Sequence, residues 1–415
     1  MKVIHFSCED IGGAGIAAVR YHTLMKGKGV DSILYVKHKT SDDSSIIQLK
    51  TYKQKYKQKK IKVRIKNFIL NLIKLFAGKS NPVYCFYNFQ ESNENGLIPD
   101  LINQIDIENI DCIFVHWLGG FINTYDLIHL KDVTNARIIF SMMDLEPITG
   151  GCHYPWLCTK FESNCIDCPA LFNFDKLLAH NQLMSKAANI AYLKADIFSS
   201  SFSDLEFAKK SIINFSNYWQ IYYPIDEDIF TPKTCDKDND IITLFANVNS
   251  VEDPRKGFNY LLSILLNLDK KLNCKIRFLC LSKQKFSAYN FINIQFEEFD
   301  FCKNVNDLVK LYQKTDIFLC ASIEDSAPMM LQEALLCGIP SISFDVGVGK
   351  QFIEDGKDGF VVPRYDIKEF GSKLYTLIEE KPSSLRSPVQ IHNHMVSICG
   401  KEVVWNSMKV LLSSK

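Results

Sequence analysis

From end to end, short runs rich in β-branched and aromatic residues alternate with helical stretches, and this alternation limits the fold more than any other feature of the chain. The strand-like runs are residues 2–7, 31–38, 111–117, 137–142, 196–201 and 219–224, then, after a break, 240–247, 275–282, 316–322 and 341–346. Runs such as DCIFVHW and DIFLCAS are largely apolar rather than alternating, as strands buried on both faces are. Alternating β and α elements give parallel sheets covered by helices. The break, PIDEDIFTPKTCDKDND at 224–240, is polar, holds two prolines and follows neither period, which reads as a linker. The 415 residues therefore divide into two α/β, doubly wound, Rossmann-like domains, 1–225 and 241–397, joined by 226–240. Two such domains facing each other form a central cleft, with ligands at the carboxyl ends of the strands.

Composition removes several alternatives. The 48 basic and 47 acidic residues nearly cancel, so net charge gives no case for nucleic acid. No apolar run reaches the length of a spanning helix. The N-terminal MKVIHFS passes straight into a strand pattern and reads as no signal peptide. Fourteen cysteines without a secretion signal suggest reduced thiols in a cytoplasm.

Two segments of the second half carry a recognisable pattern. DPRKGFNYLLSIL (253–265) places a Lys-Gly pair after the first strand of that half. ASIEDSAPMMLQEALLCGIPSISFDVGVGKQFIEDGKDGFVVP (321–363) includes the acidic pair Asp325 and Glu333, with seven residues between them. In order and spacing these resemble the retaining GT-B glycosyltransferases of family four. The resemblance implies a nucleotide-sugar donor whose diphosphate leaving group gains charge as the glycosidic bond breaks. Cations and helix N-termini stabilise such charge, and Lys256 and Arg255 are the cations to hand. It implies that Glu333 accepts hydrogen bonds from the donor ribose, and that Asp325, where the family usually has glutamate, contacts the donor sugar, with Glu324 beside it as a substitute. Pro328 suits the first turn of the following helix. The backbone around Ser326, Ala327 and Met329 brings N–H groups near the donor. Gly347 and Gly349, after a strand and before a helix, allow close approach to phosphate. Taken together, the expected catalytic set is Lys256, Glu333 and Asp325. No catalytic metal is expected, since Lys256 and backbone dipoles take that role. The resemblance also implies that a C-terminal helix at 398–415 returns to the first domain.

In the first half, Gly12, Gly13 and Gly15 lie between the first strand and first helix. Their spacing is not that of a dinucleotide fingerprint, and by resemblance the loop approaches the donor diphosphate. The block SMMDLEPITGGCHYPWLCTKFESNCIDCPAL (141–171) resembles a segment of enzymes that build exopolysaccharide, O-antigen and colanic-acid-like glycans. Those usually have His-Asp where this chain has Met143-Asp144. Asp144 and His116 are the acceptor-side candidates. Cys152, Cys158, Cys165 and Cys168, in the Cys-rich loop 150–170, have the spacing C-x5-C-x6-C-x2-C. Four thiolates suit a structural zinc. Unmetallated thiols or disulfides remain the alternatives at this point.

Residues 50–79 hold eleven Lys or Arg and no acid, with Ile61, Ile65, Phe68, Ile69, Leu72, Ile73 and Phe76 on one helical face. A basic amphipathic insertion of this kind suits the cytoplasmic face of an inner membrane. It also suits a lipid-linked glycan acceptor. A helix packed on the first domain with solvated lysines is the other reading. The expected function is transfer of a sugar from a UDP- or GDP-linked donor to a glycan of the bacterial surface, with retention of configuration. A sugar-nucleotide epimerase of the same fold and a degenerate homologue serving as scaffold are the competing readings.

Overall fold

The structure, a computed structural model, describes residues 1–50, 81–86, 91, 96–171, 176–232, 241–249, 253–282, 285–299, 302, 304–379 and 384–414. The chain separates into two compact units, Met1–Ile221 with Leu411–Lys415, and Tyr222–Val410. The basic stretch at 51–79 lies outside the described residues, as does most of the expected linker.

The first unit is built on a parallel sheet of β1 (Lys2–Glu9), β2 (Asp31–His38), β3 (Ile46–Gln48), β4 (Cys112–Val115), β5 (Arg137–Ser141), β6 (Asp196–Ser199) and β7 (Tyr218–Gln220). Their spatial order is β3-β2-β1-β4-β5-β6-β7. The second unit has β8 (Ile242–Asn249), β9 (Ile276–Ser282), β10 (Ile294–Phe299), β11 (Ile317–Cys320), β12 (Ser341–Phe344) and β13 (Gly359–Val362), in the order β10-β9-β8-β11-β12-β13. Every described pairing of these strands is parallel. In both sheets the order reverses beside the first strand, between β1 and β4 and between β8 and β11. Such a reversal leaves a crevice at the carboxyl ends, where ligands of open α/β sheets bind.

The central strands β4, β6, β11 and β12 are buried at every residue, which explains their unbroken apolar runs. The helices between them begin where side chains satisfy the free N–H groups. Asn123 and Asp126 form a reciprocal capping box for the helix Thr124–Thr134, and Asn135 ends it in the left-handed conformation. Asn304 caps Val305–Lys314, and Ser387 with Gln390 caps Pro388–Cys399. No described helix is long and apolar enough to cross a membrane.

The segment expected as a linker from 226 departs from that reading where it is described. The Asp226 and Asp228 carboxylates accept from Lys401 Nζ at 2.7 and 2.6 Å, and Glu227 accepts from the Lys401 amide at 3.1 Å. Phe230 is buried against Tyr312, with ring centroids 6.1 Å apart. The polar composition here reflects ion pairing to the start of the helix Lys401–Ser413 rather than a free connection. Beyond that helix's apolar face, Arg137 Nη1 donates to the carbonyls of Leu411 and Ser414, both at 2.7 Å.

Candidate functional site

The loops leaving β8, β11 and β12 emerge side by side, because these three strands are neighbours in the second sheet. The first loop carries the short helical turn Pro254–Lys256, capped by Asp253. Lys256 Nζ reaches Asp325 Oδ2 in the second loop at 2.5 Å, spanning the point where strand order reverses. Gly257 is what permits that approach. It sits at φ +72°, and a Cβ there would lie 1.8 Å from the Ala321 carbonyl oxygen. The Lys-Gly pair is thus a lysine aimed across the crevice by a residue that only glycine can fill. The third loop presses on the second in the same way. Gly347, at φ +52°, would place a Cβ 2.3 Å from the Ser326 carbonyl oxygen and 2.6 Å from that of Asp325. Gly349 has ordinary contacts and needs no such explanation.

Glu333 lies in the helix Met329–Leu336 and is buried; Tyr312 Oη donates to its Oε2 at 2.9 Å. Pro328 stands at the N-cap of this helix, just ahead of the first turn expected for it. Ser326, Ala327 and Pro328 are buried and Met329 is half-buried, so their side chains line the base of the loop.

Two expectations change. Arg255, expected to face the diphosphate, forms a two-pronged pair with Asp253, Nε to Oδ1 at 2.9 Å and Nη2 to Oδ2 at 2.6 Å. Its carbonyl accepts from Ile323 N at 2.7 Å, so this residue fastens the first loop to the second. Glu324, expected as a substitute for Asp325, is paired with Arg364 at 3.1 Å. Burial pushes its carboxyl above the usual range despite that guanidinium.

In the first unit, Gly12 (φ +70°) and Gly13 are exposed at the start of the helix Gly12–Gly27. Gly15 is buried, and a Cβ there would lie 2.6 Å from the Glu9 carbonyl oxygen. Asp10 fixes the neighbouring loop by accepting from Thr40 N, Thr40 Oγ1 and Ser41 N at 2.8–2.9 Å. Burial would raise its carboxyl, but these hydrogen bonds outweigh it and hold the group below the usual range.

The two acceptor-side candidates turn inward. His116 is 3% exposed, and its Nε2 lies 2.9 Å from His5 Nδ1. His5 Nε2 continues to Ser32 Oγ at 3.1 Å, which His22 Nδ1 meets at 2.7 Å. Burial drives all three imidazoles toward the neutral form, His116 down to about 3 and His22 to about 4. His116 therefore belongs to an interior chain of hydrogen bonds. Asp144 is 5% exposed, and its Oδ2 lies 2.7 Å from His153 Nδ1. Trp117 Nε1 approaches the same imidazole nitrogen at 3.3 Å. A histidine thus does partner Asp144, but from position 153 rather than from 143.

Residues 241–380 match the family model described as "Glycosyl transferases group 1". That segment, about a third of the chain, is similar to the group 1 glycosyl transferases. It holds Lys256, Gly257, Asp325, Glu333, Gly347 and Gly349. Among curated relatives, 72 residues are 38% identical to the GtfA subunit of a UDP-N-acetylglucosamine–peptide N-acetylglucosaminyltransferase from Streptococcus pneumoniae, covering 17% of this chain and 14% of that one. Over 86 residues the chain is 27% identical to a D-inositol 3-phosphate glycosyltransferase from a Mycobacterium species, covering 21% and 20%. The chain thus spans a small part of the length of the curated relatives it matches. Among solved structures, sucrose-phosphate synthase from Thermosynechococcus elongatus aligns over 99% of this chain and 98% of its own with a TM-score of 0.65 at 13% identity. HepE from Anabaena, solved with UDP-glucose, aligns over 100% of both chains at 0.60 and 12% identity. These likenesses give the fold: two parallel-sheet α/β domains of GT-B type.

Two partner residues in the matched segment left no readable trace in the sequence. Tyr312 and Arg364 meet Glu333 and Glu324 from 21 and 40 positions away. His153 did have a signal, since it adjoins Cys152 inside the block containing Asp144.

Proposed function

We propose that this protein is a retaining glycosyltransferase that takes a sugar from a nucleotide-sugar donor and adds it to a glycan acceptor. The observation that carries the reading is the juxtaposition of Lys256 with Asp325 at the reversal of the second sheet, with Glu333 buried on the helix that follows. Without donor, the Asp325 carboxylate neutralises the ammonium. A diphosphate entering the crevice takes over Lys256, and Asp325 is released to the hydroxyls of the sugar. As the glycosidic bond breaks, Lys256 and the nearby backbone dipoles stabilise the growing phosphate charge. These groups supply the stabilisation that a catalytic cation would otherwise give. Glu333 accepts hydrogen bonds from the ribose. The leaving phosphate assists removal of the acceptor proton on the same face of the sugar, so configuration is retained without a protein nucleophile.

HepE, a neighbour in fold, was solved with UDP-glucose, which supports a UDP-linked donor. The matched relatives are named for a peptide and for D-inositol 3-phosphate, so their names point to no single acceptor. We assign the acceptor to a lipid-linked glycan of bacterial surface polysaccharide synthesis. The basic residues of 50–79 dock the enzyme on the cytoplasmic membrane face. Product analysis tests the reaction: incubation with donor and cell-derived acceptor lipid is expected to release nucleoside diphosphate and form a linkage with the donor's anomeric configuration. An inverted linkage, or an epimerised donor with no transfer, contradicts it.

A further inference from the structure

Cys152, Cys158, Cys165 and Cys168 all line one small cavity in the first unit, together with Tyr84, Lys160 and Phe161. All four are free thiols. Among the described residues, the segment that carries them, after β5, consists of turns and the single helical turns Glu146–Ile148 and Lys160–Glu162. Met142, Leu145 and Ile148 anchor its beginning in the core, and Phe161 is the one large buried side chain between Cys158 and Cys165.

The backbone is shaped around the sulfurs. Cys165 and Asp167 adopt left-handed φ values of +52° and +51°, which tightens the Cys-x-x-Cys turn. Lys160 Nζ clamps the turn from within, donating to the carbonyls of Ile166 and Asp167 at 3.0 and 2.7 Å.

We propose that these four cysteines bind one zinc ion as a closed tetrahedral set, and that this metal holds the loop carrying His153 in place. On binding, four S–H protons leave, four Zn–S bonds form and the ion sheds its water. Zn–S bonds of about 2.3 Å set sulfur–sulfur edges of about 3.8 Å. Among the described residues, the group of three or more ligand atoms within 4.8 Å of one another is Glu354, Asp358 and His394. The sulfurs are therefore spaced more widely than in the bound set, and binding draws them inward. The Glu354 group is already filled by Arg386, which pairs with Asp358 at 2.7 Å. His153 follows Cys152 directly, so the metal fixes the imidazole that meets Asp144.

The inference is independent of glycosyl transfer, because its readout is metal content. The full chain, purified without chelator, is analysed by elemental mass spectrometry. Zinc release is then followed with a colorimetric chelator during titration with an organomercurial. The expected result is one zinc per chain, released in step with thiol modification. Cys158→Ser and Cys168→Ser should each lower the zinc content several-fold, while Cys274→Ser should not change it. Where a variant fails to fold, cobalt exchange into the wild type decides, with thiolate-to-cobalt charge-transfer bands expected. Metal-free folded protein whose four thiols all react freely, disulfides among them, or iron in place of zinc would each overturn the proposal.

Discussion

Replacing Gly257 with alanine should disable the donor site while leaving the fold standing. The new Cβ begins 1.8 Å from the Ala321 carbonyl oxygen and must move out to the 3.0 Å that Cβ atoms respect, a shift of about 1.2 Å. The left-handed φ of +72° adds about 1–2 kcal/mol for any residue with a Cβ. The obstacle is backbone of the neighbouring β11 loop, so the turn Pro254–Lys256 must move. Lys256 and Asp325 then lose their 2.5 Å contact. A misplacement of about 1 Å can cost roughly 100-fold in turnover, while global stability should fall by only a few kcal/mol. Gly29→Ala is the control: it has the same sign of φ (+81°) but nothing within 4 Å of the new Cβ, so only the conformational term applies. The assay is nucleoside diphosphate release by both variants, alongside thermal denaturation. If Gly257→Ala turns over like wild type, or Gly29→Ala loses as much activity, the reasoning that Gly257 aims Lys256 is refuted.

Other expectations follow from the same contacts. Lys256→Met should lower turnover by about 100- to 1000-fold, the scale for removing one charge-stabilising donor, with steady-state kinetics as the check and a loss under tenfold as the contrary result. Asp144→Ala removes the partner of a buried imidazole and should cost about 1–3 kcal/mol in urea unfolding; an unchanged midpoint would show that the contact is idle. His5, His22 and His116 have folded-state pKa values depressed below the ordinary 6.5. The unfolded chain therefore binds more protons, and stability is complete above about pH 6.5 and is lost as pH falls toward about 4. Each histidine contributes a slope of about 1.4 kcal/mol per pH unit in that window. A melting temperature that stays flat or rises on acidification would contradict the buried histidine chain.

The central strands could be read from the sequence because burial on both faces leaves continuous apolar runs. β3, β10 and β13 were not read, and all three lie at sheet edges. β3 is only three residues long, and β10, IQFEEF, is mostly half-exposed, so neither carries that signature. Lys256, Asp325 and Glu333 could be singled out as candidates because each belongs to a contiguous motif. Tyr312, which meets Glu333, was not, and neither was Arg364, which meets Glu324, since both arrive from other elements. His116 was misread for a related reason. A histidine ending a strand near the carboxyl edge looks available to ligand, and only the side chains of His5 and His22, from β1 and the first helix, show that it is enclosed. Arg255 illustrates the same limit at short range, as its partner Asp253 stood two residues away in plain view.

The central claim is that the second unit binds a nucleotide-sugar through Lys256, Asp325 and Glu333. Its most direct test is calorimetric titration of UDP- and GDP-sugars into wild type and Glu333→Ala, the variant chosen because Glu333 sits in the helix Met329–Leu336 rather than in either loop. The account predicts saturable binding of one donor by the wild type and a loss of at least tenfold in the variant, with its thermal transition still cooperative. Equal affinity in both proteins, or no binding of any nucleotide-sugar by folded wild type, would contradict it.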